Sequence, residues 1–400
     1  MIKPSHRTAN FQYAIRNIVS AAEALERQGR QVTYLNIGDP QVFGFRPPEH
    51  IVAVVQRALK DKFTGYAHST GLLEARESIA DYATALGAPT SPADVVVTAG
   101  ASEAADLVLT ALLNEGDEAL LPAPGYPIYP AIMAKLGAVA RYYNLNDKNN
   151  WQPSVDELTS LINERTRAIV LINPNNPTGS ITNDETTLRI LSLAAEHDLL
   201  VISDEVYREL YFVAPPTSAS VLTGSVEAPV ITLESLSKTH LVPGWRVGWM
   251  RFTHGEKMRE LSVAINRLAS GRLCSSTPAQ YAIKPALEGD RIFMHEFVRE
   301  IRNRRDAAVA QIDSIQGLSC TTPAAAFYLM VKVEELCGRT DEQFVLEMLE
   351  STAVLVVHGS GFGSHPNDGY FRLVYLADQE TLTKSLVAIG GFVSFMRSLT

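Results

Sequence analysis

The chain has 400 residues, which is long enough for one large domain or two ordinary ones with a substantial core. Of these residues 46% are apolar and 20% are charged, a composition typical of a soluble globular protein. The 35 Lys and Arg against 44 Asp and Glu give a formal net charge of −9, which disfavours nucleic-acid binding because such proteins usually carry a basic face.

A short helix over residues 16–29 is the first predicted element. Its apolar residues recur at helical spacing, and Gly29 ends it. The segment VTYLNIG (32–38) reads as a strand that breaks at the following Gly-Asp-Pro turn. We assign residues 1–45 to an N-terminal arm that forms part of a smaller domain.

Apolar strands alternate with amphipathic helices from about residue 46 to 295. The strands predicted in this region cover residues 95–98, 118–123, 168–173, 199–205 and 229–235. The predicted helices cover residues 102–114, a stretch from about Ile128, and 184–197 with Asn183 as its cap. Strands that are apolar throughout and separated by helices indicate a parallel sheet covered on both faces. We therefore predict an α/β fold in which residues 46–295 form a large domain with a mostly parallel central sheet covered by helices.

The pattern changes after about residue 296. A charged helix (295–313) precedes the segment GLSCTTPAAAFYLMVKV (317–333), which resembles a strand. A helix over 342–350, the strand YFRLVYL (370–376) and a terminal helix over 379–397 complete the chain. We interpret residues 296–400 as a smaller α+β domain, which the N-terminal arm joins.

The cysteines and the apolar segments of the chain indicate the cellular compartment in which the protein is expected. The three cysteines, Cys274, Cys320 and Cys337, form no C-x-x-C pair, so we expect neither a disulfide framework nor a metal site. The N-terminal segment has no apolar signal region, and no apolar run reaches the roughly 20 residues of a membrane span. The sequence therefore predicts a cytoplasmic protein that contacts no membrane.

Unusual polar sequences follow the predicted strands. They are TAGASEA (98–104), PAPGYPIYP (122–130), NPNNPTG (173–179), SDEVY (203–207) and SLSK (235–238). In an open α/β sheet, ligands bind outside the carboxyl ends of the strands. We therefore expect these five segments to line one crevice.

Each of these segments, taken alone, has a second interpretation. Ala101 and Ser102 could bind a phosphate at a helix N-terminus, or Ser102 could be a plain helix cap. The prolines around Asn176 could hold its side chain in a site or could simply form a tight turn. Asp204 could face a buried cation or could be a solvated acid at the start of a helix.

Most lysines are solvated surface charges, but Lys238 ends a strand at the predicted crevice. Burial there lowers a lysine pKa and makes the amine nucleophilic. Together the segments need a ligand with a phosphate for Ser102, Ser235 and Arg246, a carbonyl for Lys238 and a basic nitrogen for Asp204. Pyridoxal 5′-phosphate has all three groups.

The motifs resemble those of the class I aminotransferases of pyridoxal phosphate fold type I. The motifs that carry this resemblance are NPNNPTG, SDEVY and SLSK followed by GWRVGW, in this order. It spans nearly the whole chain, from NIGDP to FRLVY. Four further segments look closest to the alanine aminotransferase branch: YAIR (13–16), LNIGDPQVFGFRPPEHI (35–51), GYAHSTGL (65–72) and VHGSGFG (357–363).

The resemblance implies an enzyme that binds pyridoxal 5′-phosphate and acts on amino acids and 2-oxo acids. The reaction it implies is alanine:2-oxoglutarate transamination, giving pyruvate and glutamate by a ping-pong mechanism through a Lys238 aldimine. A broad-specificity aspartate, methionine or aromatic aminotransferase is the alternative with the same chemistry. A pyridoxal phosphate-dependent C–S lyase, or a regulatory domain that binds the cofactor without catalysis, is the alternative from another class.

The resemblance also gives each candidate residue a role. Lys238 binds the cofactor aldehyde and then moves the substrate proton, Asp204 keeps the pyridine nitrogen protonated, and Asn176 and Tyr207 bind the phenolic oxygen. Tyr126 stacks on the ring. The phosphate is held by Ala101, Ser102, Ser235 and Arg246. Tyr66 reaches the phosphate of a neighbouring subunit, which implies a homodimer with shared active sites.

For the substrate, the resemblance assigns Arg372 to the α-carboxylate, assisted by Asn176 and the backbone of Gly38. Arg16, with Tyr13 beside it, is the candidate for the distal carboxylate of 2-oxoglutarate, because a mobile arm can close over a pocket. Arg372 in an internal salt bridge and Arg16 as a solvated charge remain the alternatives.

Two positions near the expected rim depart from the family pattern. His358 stands where relatives often have proline, and the segment PAAAFY (323–328) has alanine where glycine is common. We interpret His358 as a rim or surface histidine without a catalytic role. These departures bear on substrate preference and leave the cofactor chemistry unchanged.

Overall fold

The computed structural model describes residues 2–7 and 18–399. In chain order, the α-helices of these residues are α1 (Val19–Arg27), α2 (Glu49–Lys60), α3 (Leu73–Ala85), α4 (Ala101–Leu112), α5 (Ile128–Leu136), α6 (Val155–Leu161), α7 (Asp184–Glu196), α8 (Ala219–Leu222), α9 (Leu236–Thr239), α10 (Arg259–Gly271), α11 (Thr277–Gln280), α12 (Ile283–Glu288), α13 (Ile292–Asp313), α14 (Asp341–Thr352) and α15 (Gln379–Arg397). The strands of the same residues are β1 (Thr33–Tyr34), β2 (Val95–Thr98), β3 (Glu118–Ala123), β4 (Val139–Asn146), β5 (Gln152–Pro153), β6 (Thr166–Ile172), β7 (Leu200–Asp204), β8 (Val230–Ser235), β9 (Gly248–Thr253), β10 (Leu318–Cys320), β11 (Tyr328–Val333), β12 (Val354–Leu355), β13 (Val357–His358) and β14 (Tyr370–Val374). None of these helices is long and apolar enough to cross a membrane.

A large central sheet organises the middle of the chain. Among the described residues, eight strands form it in the order β2-β9-β8-β7-β6-β3-β4-β5. The inner pairs from β8 to β4 are parallel, whereas β9 runs antiparallel to both β2 and β8, and β5 runs antiparallel to β4. The mostly parallel sheet is confirmed. The sequence pattern does not predict β9, which turns back because only α9 and a short turn separate it from β8, too little chain for a parallel crossover.

The register of the sheet brings the ends of β6, β7 and β8 to one level. Asp204, the last residue of β7, lies opposite Ile172 of β6 and Leu233 of β8. Ser235, the last residue of β8, lies opposite Gly248 of β9. Since these strands end side by side, the loops that follow them open into one crevice.

Helices cover both faces of this sheet, as the apolar strands require. On one face α4, α5 and α10 pack against the strands, with Val108, Met133 and Ile265 fully buried. On the other face α6 and α7 pack against the sheet through Leu158 and Ile190. The site is therefore built at the edge of a rigid, closely packed layer.

A second core joins the two ends of the described chain. Its four-stranded antiparallel sheet has the order β10-β11-β14-β13, and the short β1 pairs in parallel with β12. Helices α1, α13, α14 and α15 cover it, and one apolar cluster contains residues from Ile18 to Met396. Helix α13 continues without a break across residues 295 and 296, where the sequence predicts a domain boundary. The position of that domain boundary stays a prediction.

The prediction of one strand over residues 317–333 is wrong. The segment forms β10 and β11, which pair in an antiparallel ladder. Between them the chain leaves the small sheet, because Pro323 has no N–H to donate to a ladder and the N–H groups of Ala324 and Ala325 both bind the carbonyl of Gly179. The turn that results carries the start of β11 into the crevice.

Candidate active site

A cavity of about 350 Å³ lies at the carboxyl ends of β6, β7 and β8. Its lining residues are Val19, Asn36, Ile37, Gly38, Asp39, Ala101, Ser102, Ala105, Tyr126, Ile128, Tyr129, Ile172, Asn176, Asp204, Val206, Tyr207, Ser235, Ser237, Lys238, Pro243, Arg246, Tyr328 and Arg372. Residues from all five polar segments therefore meet in one place. Of the predicted site residues that the structure describes, Tyr66 alone does not line the cavity.

Lys238 lies on α9, the single helical turn that follows β8. The hydroxyl of Ser235 caps this turn by accepting from the N–H of Ser237 at 2.8 Å. The Nζ of Lys238 points into the cavity and donates to the carbonyl of Gly38 at 2.6 Å. Burial lowers the pKa of Lys238 to about 8, and the positive charges of Arg372 and Arg246 act in the same direction. At pH 7 about a tenth of this amine is therefore neutral and nucleophilic, far more than for a solvated lysine.

The lowered pKa predicts that, in the cofactor-free protein, Lys238 is chemically labelled at a lower pH than an ordinary lysine. Acetylation requires the neutral amine, so its rate at Lys238 should reach half its maximum near pH 8. Lys284, an exposed lysine whose pKa is raised by its hydrogen bond to Glu288, is the internal control and should label only at higher pH. Limiting acetic anhydride with peptide mass spectrometry measures both rates in one sample. Parallel profiles for the two lysines would contradict the prediction.

Asp204 is a buried carboxylate at the end of β7. Its Oδ2 accepts from the hydroxyl of Tyr129 at 2.8 Å, and its Oδ1 accepts from the N–H of Val206 at 3.4 Å. Burial raises the pKa of Asp204 to about 6, against the lowering effect of these two hydrogen bonds. Within the described residues no salt bridge joins this carboxylate to a cation, which is a costly arrangement for a buried acid. A ligand with a protonated ring nitrogen would remove that cost.

Arg372 lies on β14 with only 2% of its surface exposed. Its Nη1 donates to Asn176 Oδ1 at 3.1 Å and its Nη2 to the carbonyl of Asn36 at 2.6 Å. The guanidinium carbon lies 4.7 Å from the ring centres of both Tyr328 and Phe362. These contacts hold a charged, planar donor group at the cavity wall, where it can bind a carboxylate in a bidentate manner.

A phosphate cradle forms where α4, β9 and the Arg246 turn meet. The N-cap of α4 is Gly100, so the interpretation of Ser102 as a plain helix cap is wrong, and Ser102 lies in the first helical turn. A Cβ at Gly100 would lie 2.5 Å from Nη2 of Arg246, and a Cβ at Gly248 would lie 2.6 Å from the backbone nitrogen of Ala101. The two glycines therefore let a guanidinium and free helix N–H groups converge, which suits a phosphate.

Tyr207 adds a buried hydroxyl to the wall of the cavity. Its oxygen lies 2.6 Å from the hydroxyl oxygen of Tyr328. Burial, followed by the neighbouring Tyr328, raises the pKa of Tyr207 well above its ordinary value. The phenol therefore stays protonated and can donate a hydrogen bond to a ligand.

The lining residues that the sequence analysis does not single out include Asn36, Tyr129 and Tyr328, which bind or contact other residues of the site. Asn36 and Tyr129 lie inside quoted segments, NIGDP and PAPGYPIYP, but nothing local distinguishes them from structural residues. The only signal for Tyr328 is a hydroxyl at the start of an otherwise apolar run. Their roles follow from contacts with residues that are far away in the chain.

Four candidates need separate description. Tyr66 is 84% exposed, so this chain does not bring it to its own cavity. Tyr13 and Arg16 lie outside the described residues. Tyr126 lines the cavity next to Gly125, whose N–H donates to the carbonyl of Phe362 at 2.8 Å.

His358 is not a surface residue, contrary to one of the two interpretations above. It is buried, and its Nδ1 lies 2.7 Å from the hydroxyl of Ser360. That hydroxyl in turn lies 2.8 Å from Oδ1 of Asp341 at the start of α14. His358 therefore belongs to a polar cluster, with Ser360 and Asp341, that holds the turn carrying Phe362.

Fold and site together fit a protein that binds a phosphorylated pyridine aldehyde. Lys238 offers the amine for the aldehyde, Asp204 the acid for the ring nitrogen, and the cradle at α4 the donors for the phosphate. Arg372 lines the same cavity, where its guanidinium could hold the carboxylate of an amino acid. This combination defines a pyridoxal phosphate-dependent enzyme of amino-acid chemistry.

Comparison with known proteins agrees with this conclusion. The chain matches the family model of aminotransferase class I and II over residues 30–389. It is 35% identical over 404 residues to the glutamate-pyruvate aminotransferase AlaA of Haemophilus influenzae, covering 98% of each chain. It is also 35% identical over 403 residues to an alanine aminotransferase of Mycobacterium tuberculosis, covering 97% of this chain and 92% of that one.

A solved structure gives the same result. The alanine aminotransferase from Pyrococcus furiosus has a TM-score of 0.95 with this chain at 39% identity, covering 99% of this chain and 100% of that one. The chain therefore belongs to the class I and II aminotransferase family. It has fold type I and uses pyridoxal 5′-phosphate, as the sequence motifs predict.

Proposed function

We propose that this aminotransferase transfers the amino group of alanine to 2-oxoglutarate, giving pyruvate and glutamate in two half-reactions at one site. The observation that carries the proposal is the set of charges in the cavity. Its described lining contains the cations Lys238, Arg246 and Arg372. Each has a partner in the proposal, namely the cofactor aldehyde, the phosphate and the substrate α-carboxylate. No described cation is left for a second carboxylate, so the described lining by itself fits the small uncharged side chain of alanine, whereas the distal carboxylate of 2-oxoglutarate needs a cation from outside that lining.

The names of the relatives support the same choice. Two of the proteins compared above are named alanine aminotransferases, and a third is named for glutamate and pyruvate. Similarity covers nearly all of each chain, including the segments that line the cavity. We therefore take alanine as the small donor.

Each lining residue has a role in this reaction. Bound pyridoxal phosphate supplies an aldehyde for the amine and a pyridinium ring that accepts the electron pair left when the Cα–H bond breaks. The amine of Lys238, once the substrate amine has replaced it on the cofactor, would take the proton from the substrate Cα and would deliver it to the cofactor carbon C4′. Asp204 stays ionised against the ring N–H. Asn176, whose Oδ1 accepts from Arg372, keeps its Nδ2 for the phenolic oxygen.

Half-reactions with the holoenzyme test this function. Alanine alone should convert the absorbance of the lysine-bound cofactor into that of the aminated cofactor and release one pyruvate per site, and 2-oxoglutarate should reverse the change. A C–S lyase would release ammonia and retain the original absorbance. A regulatory domain would bind the cofactor without turnover. Failure of alanine together with success of methionine or tyrosine would replace the proposed donor.

We also propose that Arg16, beside Tyr13, binds the distal carboxylate of 2-oxoglutarate. The described lining leaves this charge without a partner, which supports a cation supplied by the N-terminal arm. Arg16→Ala should raise the KM for 2-oxoglutarate about 10- to 100-fold, the worth of one charge-assisted hydrogen bond. The half-reaction with alanine should not change. Steady-state kinetics with both substrates measure this, and an unchanged KM for 2-oxoglutarate would contradict the assignment.

We propose a homodimer in which Tyr66 completes the phosphate site of the partner subunit. Tyr66 is exposed, and so is Phe63 three residues before it, which supports an apolar surface next to this tyrosine that a partner subunit could cover. Subunit mixing provides the test. Tyr66→Ala and Lys238→Ala subunits, each impaired alone, should regain activity when refolded together, because the hybrid then contains one intact site. Absence of recovery would contradict a shared site.

The remaining proposals concern organisation and location. We propose one domain of residues 46–295 and a second built from residues 1–45 and 296–400, supported by the apolar cluster that joins both ends of the described chain. We propose the cytoplasm as the compartment, since Cys274, Cys320 and Cys337 are all free thiols. Cell fractionation with an antibody to the protein tests the location.

A further inference from the structure

The hydroxyl of Tyr328 is a buried polar group in the cavity to which the proposed reaction gives no role. Tyr328 begins β11 and is 2% exposed. It contacts Tyr207 through its hydroxyl and Arg372 through its ring. We propose that Tyr328 is a positioning residue that sets the direction of the Tyr207 hydrogen bond and the plane of Arg372. This inference rests on the proposed function and extends it to a residue outside the motifs.

The direction of the hydrogen bond between the two tyrosines supports the role of Tyr328 toward Tyr207. The hydroxyl oxygens lie 2.6 Å apart, so one hydroxyl donates and the other accepts. Tyr207 can donate to the cofactor's phenolic oxygen only when its own oxygen accepts from Tyr328. A hydroxyl that accepts a hydrogen bond is a stronger donor, because hydrogen bonds in a chain polarise one another. Tyr328 thereby strengthens the stabilisation of the anionic phenolic oxygen.

The contact between the ring of Tyr328 and Arg372 supports the role of Tyr328 toward the substrate carboxylate. The ring of Tyr328 lies against the guanidinium with 4.7 Å between its centre and Cζ, and Phe362 makes the same contact. Two rings at this distance fix the plane in which the guanidinium presents its donors. One residue thus contacts both the group for the cofactor oxygen and the group for the substrate carboxylate.

The hydroxyl of Tyr328 packs against Gly38 so closely that residue 38 has no room for a side chain. A Cβ at residue 38 would overlap this hydroxyl oxygen and would lie 3.1 Å from ring carbons of the same side chain. Gly38→Ala should therefore displace the hydroxyl, and it should destabilise the wild-type protein more than the Tyr328→Phe variant, in which the overlapping atom is absent. Urea unfolding of the cofactor-free forms measures this coupling without any reference to activity.

Two substitutions separate the roles of hydroxyl and ring. Tyr328→Phe keeps the ring and removes the donor. In the holoenzyme, the pH midpoint of the lysine-bound cofactor absorbance should rise by about half a unit, with KM for alanine changed less than about twofold. Tyr328→Leu removes both, so KM for alanine and for 2-oxoglutarate should also rise about tenfold.

Controls make each outcome decisive. Tyr207→Phe should shift the midpoint in the same direction and further. Tyr375→Phe removes another buried hydroxyl of the same domain, one that donates to the carbonyl of Ala326, and should leave the midpoint unchanged. The role of Tyr328 would be overturned if Tyr328→Phe kept the wild-type pH midpoint while Tyr207→Phe shifted it, and if Gly38→Ala and Tyr328→Phe had additive effects on stability. The proposed function would remain intact in that case. A wild-type protein without the absorbance of a bound cofactor would overturn both.

Discussion

Replacing Lys238 by methionine is expected to lower kcat by about 10⁴-fold, since the proposed reaction needs this one amine both for covalent attachment of the cofactor and for proton transfer. Methionine keeps the length and the apolar stem of the side chain, so the packing of α9 should persist. Borohydride should fix the cofactor covalently to the wild-type protein and not to the variant. Stopped-flow kinetics with alanine and mass spectrometry after reduction measure the two effects.

The stability of the same variant distinguishes a lost functional group from a lost fold. Burial lowers the pKa of Lys238 to about 8, so the folded protein disfavours the charged form that the unfolded chain carries at neutral pH. This penalty is present at neutral pH and disappears as pH rises toward the ordinary lysine pKa. Cofactor-free Lys238→Met should therefore be at least as stable as the wild type at pH 7. The exposed Lys284→Met is the matched control for loss of a lysine, and retention of turnover in Lys238→Met would contradict the assignment.

The strand ends are the part of the site that the sequence predicts well. Asp204 and Ser235 each end an apolar strand, and the register of a parallel sheet necessarily places such ends side by side. The types of residue found there, a lysine, an acid and helix-start donors, then define the chemistry of the ligand. Both inferences use only local sequence and a general property of sheets.

Contacts between distant segments are the part that the sequence does not reveal. Lys238 binds the carbonyl of Gly38, 200 residues away, and Arg372 binds Asn176, 196 residues away. The sequence pattern places Tyr328 inside a continuous strand, whereas its neighbours depend on the turn that carries residues 321–327 to Gly179. Apolar periodicity describes which face of an element is buried and contains no information about the residue opposite.

Burial explains why the same cavity is costly to the protein without its cofactor. Lys238 has a lowered pKa and Asp204 a raised one, so both groups resist the charge they would carry in water. In the proposed arrangement the cofactor would remove both penalties by bonding to the amine and by offering a protonated nitrogen to the acid. Cofactor binding and folding stability are therefore expected to be coupled, with a holoenzyme that is more stable than the cofactor-free form.

Replacing Asp204 by asparagine is expected to lower kcat by about 10³-fold, because in the proposed reaction the ring nitrogen then loses the negative charge that keeps it protonated. Asparagine has the same shape, and its Oδ1 can still accept from the hydroxyl of Tyr129. Binding of the cofactor should weaken as well. Absorbance titration with pyridoxal phosphate and single-turnover kinetics with alanine measure the two losses.

In the cofactor-free protein the same substitution, although it lowers activity, should raise the stability of the fold. The pKa of Asp204 is about 6 in the folded protein, against 3.8 for an ordinary solvated aspartate, so the protonated form is favoured by folding. The stability that this acid contributes is complete below its unfolded pKa and is lost as pH rises through about 6. Above that pH the ionised carboxylate costs about 3 kcal/mol, which Asp204→Asn avoids. Urea unfolding at pH 5 and pH 8 should show the variant more stable than the wild type, by a larger margin at pH 8. A variant that loses both stability and activity would mean that Asp204 supports the fold, and the pairing of this acid with the ring nitrogen would then lose its main physical support.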